Sequence, residues 1–198
     1  LGVAEQNVAL LHNFSSGMNT IVQNLPDKRV MMMKDEYPSL HLPFESAGFD
    51  IALIGNQSDG EVSYAEIEEA IAKARPPYFA ISQVHYNSGW CVDLDRIAEI
   101  TSVHGSKLIV DGTQAFGAIH TDLSDIKVDA YLASTYKWFM GGYGAGIGFV
   151  TGRYSFNRIY NEEFQNSALS TFNIDEYLSV RGNGFNANLG VILRPTQF

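Results

Sequence analysis

A carboxylate and an amine, each at the end of a short apolar run, are the residues in this sequence best suited to act together. Asp111 follows the run Leu108–Val110, and Lys137 comes 26 residues later, shortly after the run Ala130–Ala133. Pyridoxal 5'-phosphate needs such a pair, because an amine forms a Schiff base with its aldehyde and a carboxylate keeps its ring nitrogen protonated. The competing interpretation is that Asp111 caps a turn and that Lys137 is an ordinary exposed lysine.

The residues around Lys137 favour a phosphate-bearing ligand. Ser134 supplies a hydroxyl that can donate to or accept from a phosphate, and Gly141–Gly148 is dense in glycine. Glycine-rich loops also bind dinucleotides, but Gly142–Gly146 lacks the G-x-G-x-x-G spacing and precedes a predicted strand, not a helix. A nicotinamide site is therefore not indicated, and the glycines more plausibly let the backbone pass close to Lys137 and to a neighbouring subunit.

Short apolar runs that alternate with amphipathic stretches must position these groups. Because the runs are continuous, they predict strands that are buried on both faces of a sheet. The predicted strands are Arg29–Met33, Asp50–Ile54, Tyr78–Val84, Lys107–Asp111, Ala130–Ser134 and Ile147–Val150.

Helices are predicted between the strands. Ser63 is a candidate N-cap, with Glu66 completing a capping box, and a second helix is predicted over Asp93–His104, followed by Gly105. This alternation predicts an α/β domain with a mostly parallel sheet and helices on both faces. The pattern loosens from Gly152 onward, and Gly182–Asn186 is rich in turn residues. In such sheets ligands bind at the carboxyl ends of the strands, where Asp111 and Lys137 are expected.

Composition narrows the possible partners. The net charge is −9 and no basic run occurs, so nucleic acid and anionic membranes are not predicted partners. No apolar stretch approaches the roughly 18 residues of a membrane span. The single cysteine, Cys91, excludes a disulfide framework and predicts a reducing compartment, with the cytoplasm as the default. The histidines outside the motifs show no metal-ligand spacing, so no metal site is predicted.

The stretch Val110–Gly117, followed by Ser134–Lys137 and the glycine loop, resembles the class V aminotransferase family of fold-type-I pyridoxal-phosphate enzymes. That family includes cysteine desulfurases, selenocysteine lyases, kynureninases and isopenicillin-epimerase-like proteins, and the resemblance extends from about Ala9 to Val150. It implies that Lys137 and Asp111 are the catalytic residues, with Lys137 attached to the cofactor and Asp111 paired with its ring nitrogen. It also implies that Gln114 lies near the phenolic oxygen.

Two further matches concern the ends of the cofactor. The segment His12–Asn19 resembles the family's phosphate-binding turn, which implies phosphate contacts from Ser15 and Ser16. A helix N-terminus favours phosphate binding, since it offers free N–H groups and the positive end of the helix dipole. A plain serine N-cap is the alternative. Tyr136 stands where the family usually has histidine, and its hydroxyl would replace that histidine's phosphate contact.

The remaining matches concern the ring. Tyr37 falls where the family places a residue that stacks on the pyridine ring, although a tyrosine before proline is more commonly a surface residue. Asn87 matches the asparagine that donates to the phenolic oxygen. His85 is a weaker candidate, because a histidine at a strand end is more often a satisfied polar residue than a catalytic one.

The resemblance implies an enzyme that acts on an amino acid or amine, with an aminotransferase as the first expectation. A cysteine desulfurase or lyase and a non-catalytic module of the same fold are the alternatives. Family members are about twice as long, so residues 1–198 are expected to be a cofactor-binding large domain without the N-terminal segment and the C-terminal small domain. Neither Arg181 nor Arg194 matches the family's substrate-binding arginine, and Cys91 is expected to be structural. A homodimer is expected, with Gly182–Asn186 reaching towards the partner.

Overall fold

The computed structural model describes residues 1–3, 7–55 and 63–150, and the backbone of residues 172–177 and 190–195. Strands and helices alternate along most of this length. The strands are β1 (Val8–Leu11), β2 (Arg29–Met33), β3 (Asp50–Ile54), β4 (Tyr78–Ser82), β5 (Lys107–Asp111), β6 (Ala130–Ser134), β7 (Gly146–Val150), β8 (Phe172–Tyr177) and β9 (Gly190–Pro195). The helices are α1 (Phe14–Gln23), α2 (Pro38–Ser46), α3 (Tyr64–Ala74) and α4 (Leu94–Val103).

Seven strands form one mixed sheet in the order β1-β7-β6-β5-β4-β2-β3. The five strands from β3 to β6 in this order are parallel, whereas β7 is antiparallel to both of its neighbours, β6 and β1. The predicted α/β class and the mostly parallel sheet are therefore confirmed. Strands β8 and β9 pair separately as an antiparallel ribbon.

Helices cover both faces of the large sheet, as predicted. Alternate strand residues divide between two apolar clusters, so that Val30 and Met32 of β2 lie on one face while Met31 and Met33 lie on the other. The first cluster includes the buried side chains of α1 and α2, and the second includes those of α3 and α4. Burial on both faces explains why these strands read as continuous apolar runs.

Two strand predictions need correction. The predicted strand Tyr78–Val84 ends at Ser82, because Gln83 then donates its N–H to the carbonyl of Asp111 and the chain turns, leaving Val84 in an isolated bridge with Cys91. Strand β3 is not buried on both faces, since it is an edge strand and three of its five residues are exposed. Strand β1 was not predicted, because it is short and only partly buried.

Both predicted helices form, but only one has the expected side-chain cap. Asp93 caps α4 by accepting a hydrogen bond from the N–H of Arg96, and Gly105 follows with a φ of 75°. Ser63 occupies the N-cap of α3 without a side-chain hydrogen bond, so the capping box is wrong. Burial of Ile67 and Ile71 holds this helix against the sheet instead. The turn predicted at residues 182–186 lies outside the described residues. Among the described helices, none has the length and apolar character to cross a bilayer.

Candidate active site

The site lies at one edge of the sheet, where the carboxyl ends of the parallel strands meet. Strand β4 pairs with β2 on one side and β5 on the other, so the chain's progression across the sheet reverses between β2 and β4. Such a switch point opens a crevice at the carboxyl ends of the strands, and ligands of open α/β sheets bind there. The N-terminus of α1 reaches the same edge, because β1 is antiparallel to β7 and ends opposite Gly146, the residue that pairs with Ser134.

A cavity of about 110 Å³ occupies this crevice. Seven of the nine predicted site residues line it. They come from four places in the fold: the start of α1, the turn before α2, the end of β5 with its following turn, and the end of β6 with its following turn. These seven residues are Ser15, Tyr37, Asp111, Gln114, Ser134, Tyr136 and Lys137. Ser16 and Asn87 are not among the lining residues.

Asp111 is the buried acid of the cavity. It ends β5 with 5% of its surface exposed, and its Oδ1 accepts a hydrogen bond of 2.8 Å from the N–H of Thr113. Burial raises the pKa of Asp111 to about 7, and the nearby carboxylate of Glu36 adds to the rise, while the hydrogen bonds from Thr113 oppose it. The carboxyl is thus ready to hold a proton or to pair with a cation that enters the cavity.

The turn after Asp111 is fixed by a close approach to β6. A Cβ atom on Gly112 would lie 2.0 Å from Cζ of Tyr131, so only glycine fits at this position. Tyr131 is itself buried, and its hydroxyl donates to Oε1 of Gln83 at 2.9 Å. Gln83 and Thr121 are hydrogen-bonded through their side chains. This network holds the tyrosine ring against the backbone that carries Asp111.

Lys137 lies at the open side of the cavity. Its side chain is exposed, and Nζ lies 5.4 Å from the centroid of the Tyr136 ring. The other partner of Tyr136 is Tyr143 of the glycine loop, whose ring is stacked on it with 5.0 Å between centroids. The loop closes on the strand end, where the N–H of Gly141 donates to the carbonyl of Thr135. The amine is therefore accessible from solvent and sits beside an aromatic pair.

Gln114 is oriented by a neighbour of the lysine. Its Oε1 accepts a hydrogen bond of 3.0 Å from the indole N–H of Trp138. Because that bond occupies the carbonyl end, the NH₂ end of the amide remains as the donor that the cavity can use. This orientation suits the predicted partner, an oxygen that accepts hydrogen bonds.

The N-terminus of α1 forms the polar end of the cavity. Asn13 caps the helix, since its Oδ1 accepts a hydrogen bond of 2.8 Å from the N–H of Ser16. The hydroxyl of Ser16 donates to the carbonyl of Asn13, so the two groups that Ser16 could offer to a phosphate are both used locally. Ser15 and Ser39 pair through their hydroxyls, and Ser134 accepts from the N–H of Phe14 at 3.3 Å.

His85 is a satisfied polar residue, as the sequence pattern favoured. Its side chain is 1% exposed, and Nε2 lies 3.1 Å from the carbonyl oxygen of Asp35. A carbonyl only accepts, so Nε2 carries the proton and Nδ1 accepts from the N–H of Ser88. Asn87, two residues further along the chain from His85, is exposed and lies in the turn that these bonds fix.

Sequence reasoning missed several residues that complete the site. The cavity lining also includes Asn13, Ser39, Ser82, Tyr86 and Thr113. Ser82 could have been found, because it ends the strand beside Asp111 and the two residues are paired in register. Tyr86 could not, since it reaches the cavity only through the turn that follows β4.

An open sheet that presents a buried carboxylate and a lysine after the carboxyl ends of two neighbouring strands is the architecture of a fold-type-I pyridoxal-phosphate transferase large domain. The chain belongs to the class V aminotransferase family, whose sequence model matches residues 1–185. It is 34% identical over 110 residues to a 2-aminoethylphosphonate–pyruvate transaminase of Burkholderia lata, covering 54% of this chain and 28% of that protein. It is also 34% identical over 109 residues to a cysteine desulfurase of Pseudomonas fluorescens, covering 54% of this chain and 26% of that protein.

The fold is shared with solved structures. A cysteine desulfurase from Thermococcus onnurineus superposes with a TM-score of 0.69 at 18% identity, covering 95% of this chain and 46% of that one. This chain thus spans less than half the length of the relatives named here.

Proposed function

We propose that this chain provides the cofactor site of a pyridoxal-phosphate-dependent aminotransferase that acts on an amino acid or amine. The observation that carries the proposal is the meeting of the buried Asp111 carboxyl and the accessible Lys137 amine at one cavity. The family supports the same chemistry, because its curated members include transaminases.

The donors and acceptors around the cavity fit pyridoxal phosphate from end to end. Asp111 would pair with the protonated ring nitrogen, and this opposite charge would offset the free-energy cost of burying the carboxylate. Gln114 would donate a hydrogen bond to the phenolic oxygen. The hydroxyls of Ser15 and Ser134 lie at the α1 N-terminus, where a phosphate is favoured by the helix dipole. Tyr37 would cover one face of the ring, and the hydroxyl of Tyr136 would add a phosphate contact. Ser16 and Asn87 stay as predictions: Ser16 would have to exchange its hydrogen bonds to Asn13, and the exposed Asn87 would have to move to the cavity.

When bound, the cofactor supplies an electron sink that stabilises negative charge at the substrate α-carbon. The chain's own residues supply the rest. Lys137 would hold the cofactor through its amine, and that amine could carry the substrate α-proton as a base and then as an acid. The Asp111 carboxylate would stabilise a proton on the ring nitrogen, because the two opposite charges would compensate each other in the buried setting.

Covalent labelling tests the assignment of Lys137. Borohydride reduction of the cofactor-loaded protein, followed by peptide mapping, should place a pyridoxyl group on Lys137. Lys137→Ala should abolish the label while retaining non-covalent binding through the phosphate site. Lys34→Ala, which removes a lysine on the turn after β2, serves as the matched control and should be labelled like the wild type. A label on Lys34 or Lys107 would overturn the assignment.

A cysteine desulfurase is the second candidate, because a desulfurase matches this chain as well as a transaminase does. A desulfurase needs a thiol near the substrate sulfur, and Cys91 does not line the cavity. Desolvation and the Asp93 carboxylate also raise the pKa of the Cys91 thiol, which disfavours the nucleophilic thiolate. The products distinguish the two activities: a transaminase releases an oxo acid from an amino acid donor, whereas a desulfurase releases sulfide from cysteine under reducing conditions.

We also propose that the protein is a homodimer. The support is an apolar surface beside the site, formed by the exposed side chains of Trp138, Phe139, Met140 and Tyr143. Burying such apolar side chains against a second chain removes them from water, which favours association. Cytoplasmic location stays a prediction that rests on the single cysteine.

A further inference from the structure

Glu36 is a buried acid that lies next to the cavity without being one of its lining residues. Its side chain is 5% exposed, in the turn between β2 and α2 (residues 34–37). A carboxylate is rarely buried to this degree unless several donors satisfy it, because burying the charge alone is costly. Two of those donors come from one residue on another strand.

That residue is Ser82, at the carboxyl end of β4. Its N–H donates to Oε1 of Glu36 at 3.0 Å, and its hydroxyl donates to Oε2 at 2.5 Å. The second distance is that of a short, charge-assisted hydrogen bond. Since β2 and β4 are neighbours in the sheet, this two-point contact joins the turn after one strand to the end of the other across the switch point.

Two further contacts fix the same turn. Asp35 has a φ of 62°, a backbone conformation that non-glycine residues seldom adopt, and its carbonyl accepts the Nε2–H of His85. Residue 37 follows directly. The ring of Tyr37 meets that of Tyr86 edge to face, with 5.1 Å between centroids, and both tyrosines line the cavity.

We infer that Glu36 is a positioning residue: its bonds to Ser82 hold the 34–37 turn on β4 and thereby keep Tyr37 at the cavity that Asp111 also lines. The Tyr37 side chain is 40% exposed and packs on the Tyr86 ring, while its backbone carbonyl accepts hydrogen bonds at the start of α2, so its place depends on the turn and helix start that carry it. This inference deepens the proposed function and rests on it, because Tyr37 would form one wall of the ring site.

Two substitutions separate the geometry from the charge. In Glu36→Gln, the amide oxygen can accept the Ser82 N–H while the amide NH₂ donates to the Ser82 hydroxyl, so both bonds persist without the charge. In Glu36→Ala, both Ser82 donors lose their buried acceptor. Glu45→Ala is the matched control, because Glu45 is an exposed carboxylate on α2, the helix that follows the turn.

Hydrogen–deuterium exchange on the cofactor-free protein tests the anchoring by itself. Peptides that cover residues 34–41 and 82–89 should exchange faster in Glu36→Ala, by about tenfold or more at the Ser82 amide. In Glu36→Gln and Glu45→Ala the same peptides should behave as in the wild type. Unchanged exchange in Glu36→Ala would overturn the inference, whether or not the protein binds pyridoxal phosphate.

A double-mutant cycle then tests whether Glu36 acts through Tyr37. Affinity for pyridoxal phosphate should fall about tenfold in Glu36→Ala and in Tyr37→Ala, and the double variant should be little worse than either. Glu36→Gln should restore wild-type affinity to within about threefold. Effects that multiply in the double variant would overturn the positioning role. A wild-type protein that binds no pyridoxal phosphate would instead count against the proposed function, and the exchange result would still decide the anchoring.

Discussion

At the scale of single residues, the chemistry depends on a carboxyl that the fold makes unusually basic. Asp111 carries a pKa of about 7 in the folded chain against 3.8 for the free side chain. The unfolded chain therefore releases this proton near pH 4, while the cofactor-free folded chain keeps it until about pH 7. The contribution of Asp111 to stability is complete below pH 4 and is lost as the pH rises through 7.

Because the Asp111 contribution to stability is lost as the pH rises, Asp111→Asn should have a pH-dependent effect on stability. The amide is neutral at every pH and its oxygen can still accept the N–H of Thr113, so the variant lacks the penalty of a buried charge. Without cofactor, its free energy of unfolding should exceed that of the wild type by roughly 2–4 kcal/mol at pH 8 and by much less at pH 4.5. Urea titrations at the two pH values measure the difference.

In the presence of cofactor, the variant that is more stable at pH 8 should be the less active one. Asp111→Asn cannot pair with a protonated ring nitrogen as a carboxylate does, so turnover should fall by orders of magnitude while the fold persists. Asp129→Asn provides a comparison, since it changes a partly buried carboxyl in the turn before β6, outside the cavity. Near-normal turnover in Asp111→Asn would contradict the assigned role, and equal stability of Asp111→Asn and wild type at both pH values would contradict the raised pKa.

The sequence predicted the chemical residues better than it predicted their supports. Asp111 and Lys137 stand out because an acid and a lysine each follow an apolar run, and the cavity brings both together. Nothing in the local sequence marked Glu36, because its inferred role depends on hydrogen bonds from Ser82, which lies 46 residues away in sequence. Ser16 matched the phosphate turn by position, but sequence alone could not reveal that Asn13 would use both of its hydrogen-bonding groups.

At the scale of elements, the end of β5 is placed by its contact with β6. Gly112 leaves room for the Tyr131 ring, and the N–H of Gly112 donates to the carbonyl of Leu132 at 2.8 Å. The strand ends that hold Asp111 and Lys137 are therefore packed together as well as paired. Displacing one of them should move the acid relative to the amine.

Gly112→Ala tests this packing. The added methyl group would overlap the buried Tyr131 ring, which has no space to retreat, so the free energy of unfolding should fall by roughly 1–3 kcal/mol. Cofactor affinity should fall as well, because Asp111 is the preceding residue. Thermal and urea unfolding measure the first effect, and absorbance titration measures the second.

A second substitution identifies the cause. Tyr131→Leu shortens the side chain that would collide with the new methyl group, so it should recover part of the stability lost in Gly112→Ala. Tyr131→Phe removes the hydroxyl, with its bond to Gln83, but leaves Cζ and Cε1 of the ring in the way of the new methyl group, so it should recover less stability than Tyr131→Leu. If Tyr131→Leu and Tyr131→Phe recover equal amounts of the stability lost in Gly112→Ala, contact with the Tyr131 ring does not explain why position 112 requires glycine.

Periodicity predicted the elements of the parallel sheet because burial on both faces leaves a continuous apolar run. It missed β1, and it predicted the bounds of β3 but not its exposure. These two strands lie at the two edges of the sheet, and their residues are mostly partly buried or exposed. The reversal of strand order at β2 and β4, which opens the cavity, left no trace in the sequence. That reversal depends on pairing between distant segments, which the periodicity within one segment does not report.

At the scale of the whole molecule, the apolar surface beside Lys137 is the feature that the isolated chain leaves unexplained. Met140 is 86% exposed, in a left-handed conformation with a φ of 55°, and Tyr143 is 89% exposed. The loop that carries them is nevertheless held by backbone bonds at Thr135 and Lys137. Burying these side chains against a second chain would stabilise the pair by about 25 cal/mol for each Å² of apolar surface removed from water.

We therefore expect a homodimer whose interface includes this loop. Sedimentation at micromolar concentration should give twice the chain mass, and Met140→Asp should shift the equilibrium towards monomer by placing a charge in the buried interface. Val103→Asp is the matched control, because Val103 is 70% exposed at the end of α4, on another part of the surface, and should leave the dimer intact. Met140 does not line the cavity. Any loss of cofactor affinity in Met140→Asp should therefore come from losing the partner chain's contribution to the site. A monomer in the wild type, or a dimer equally sensitive to both substitutions, would show that this loop does not mediate association.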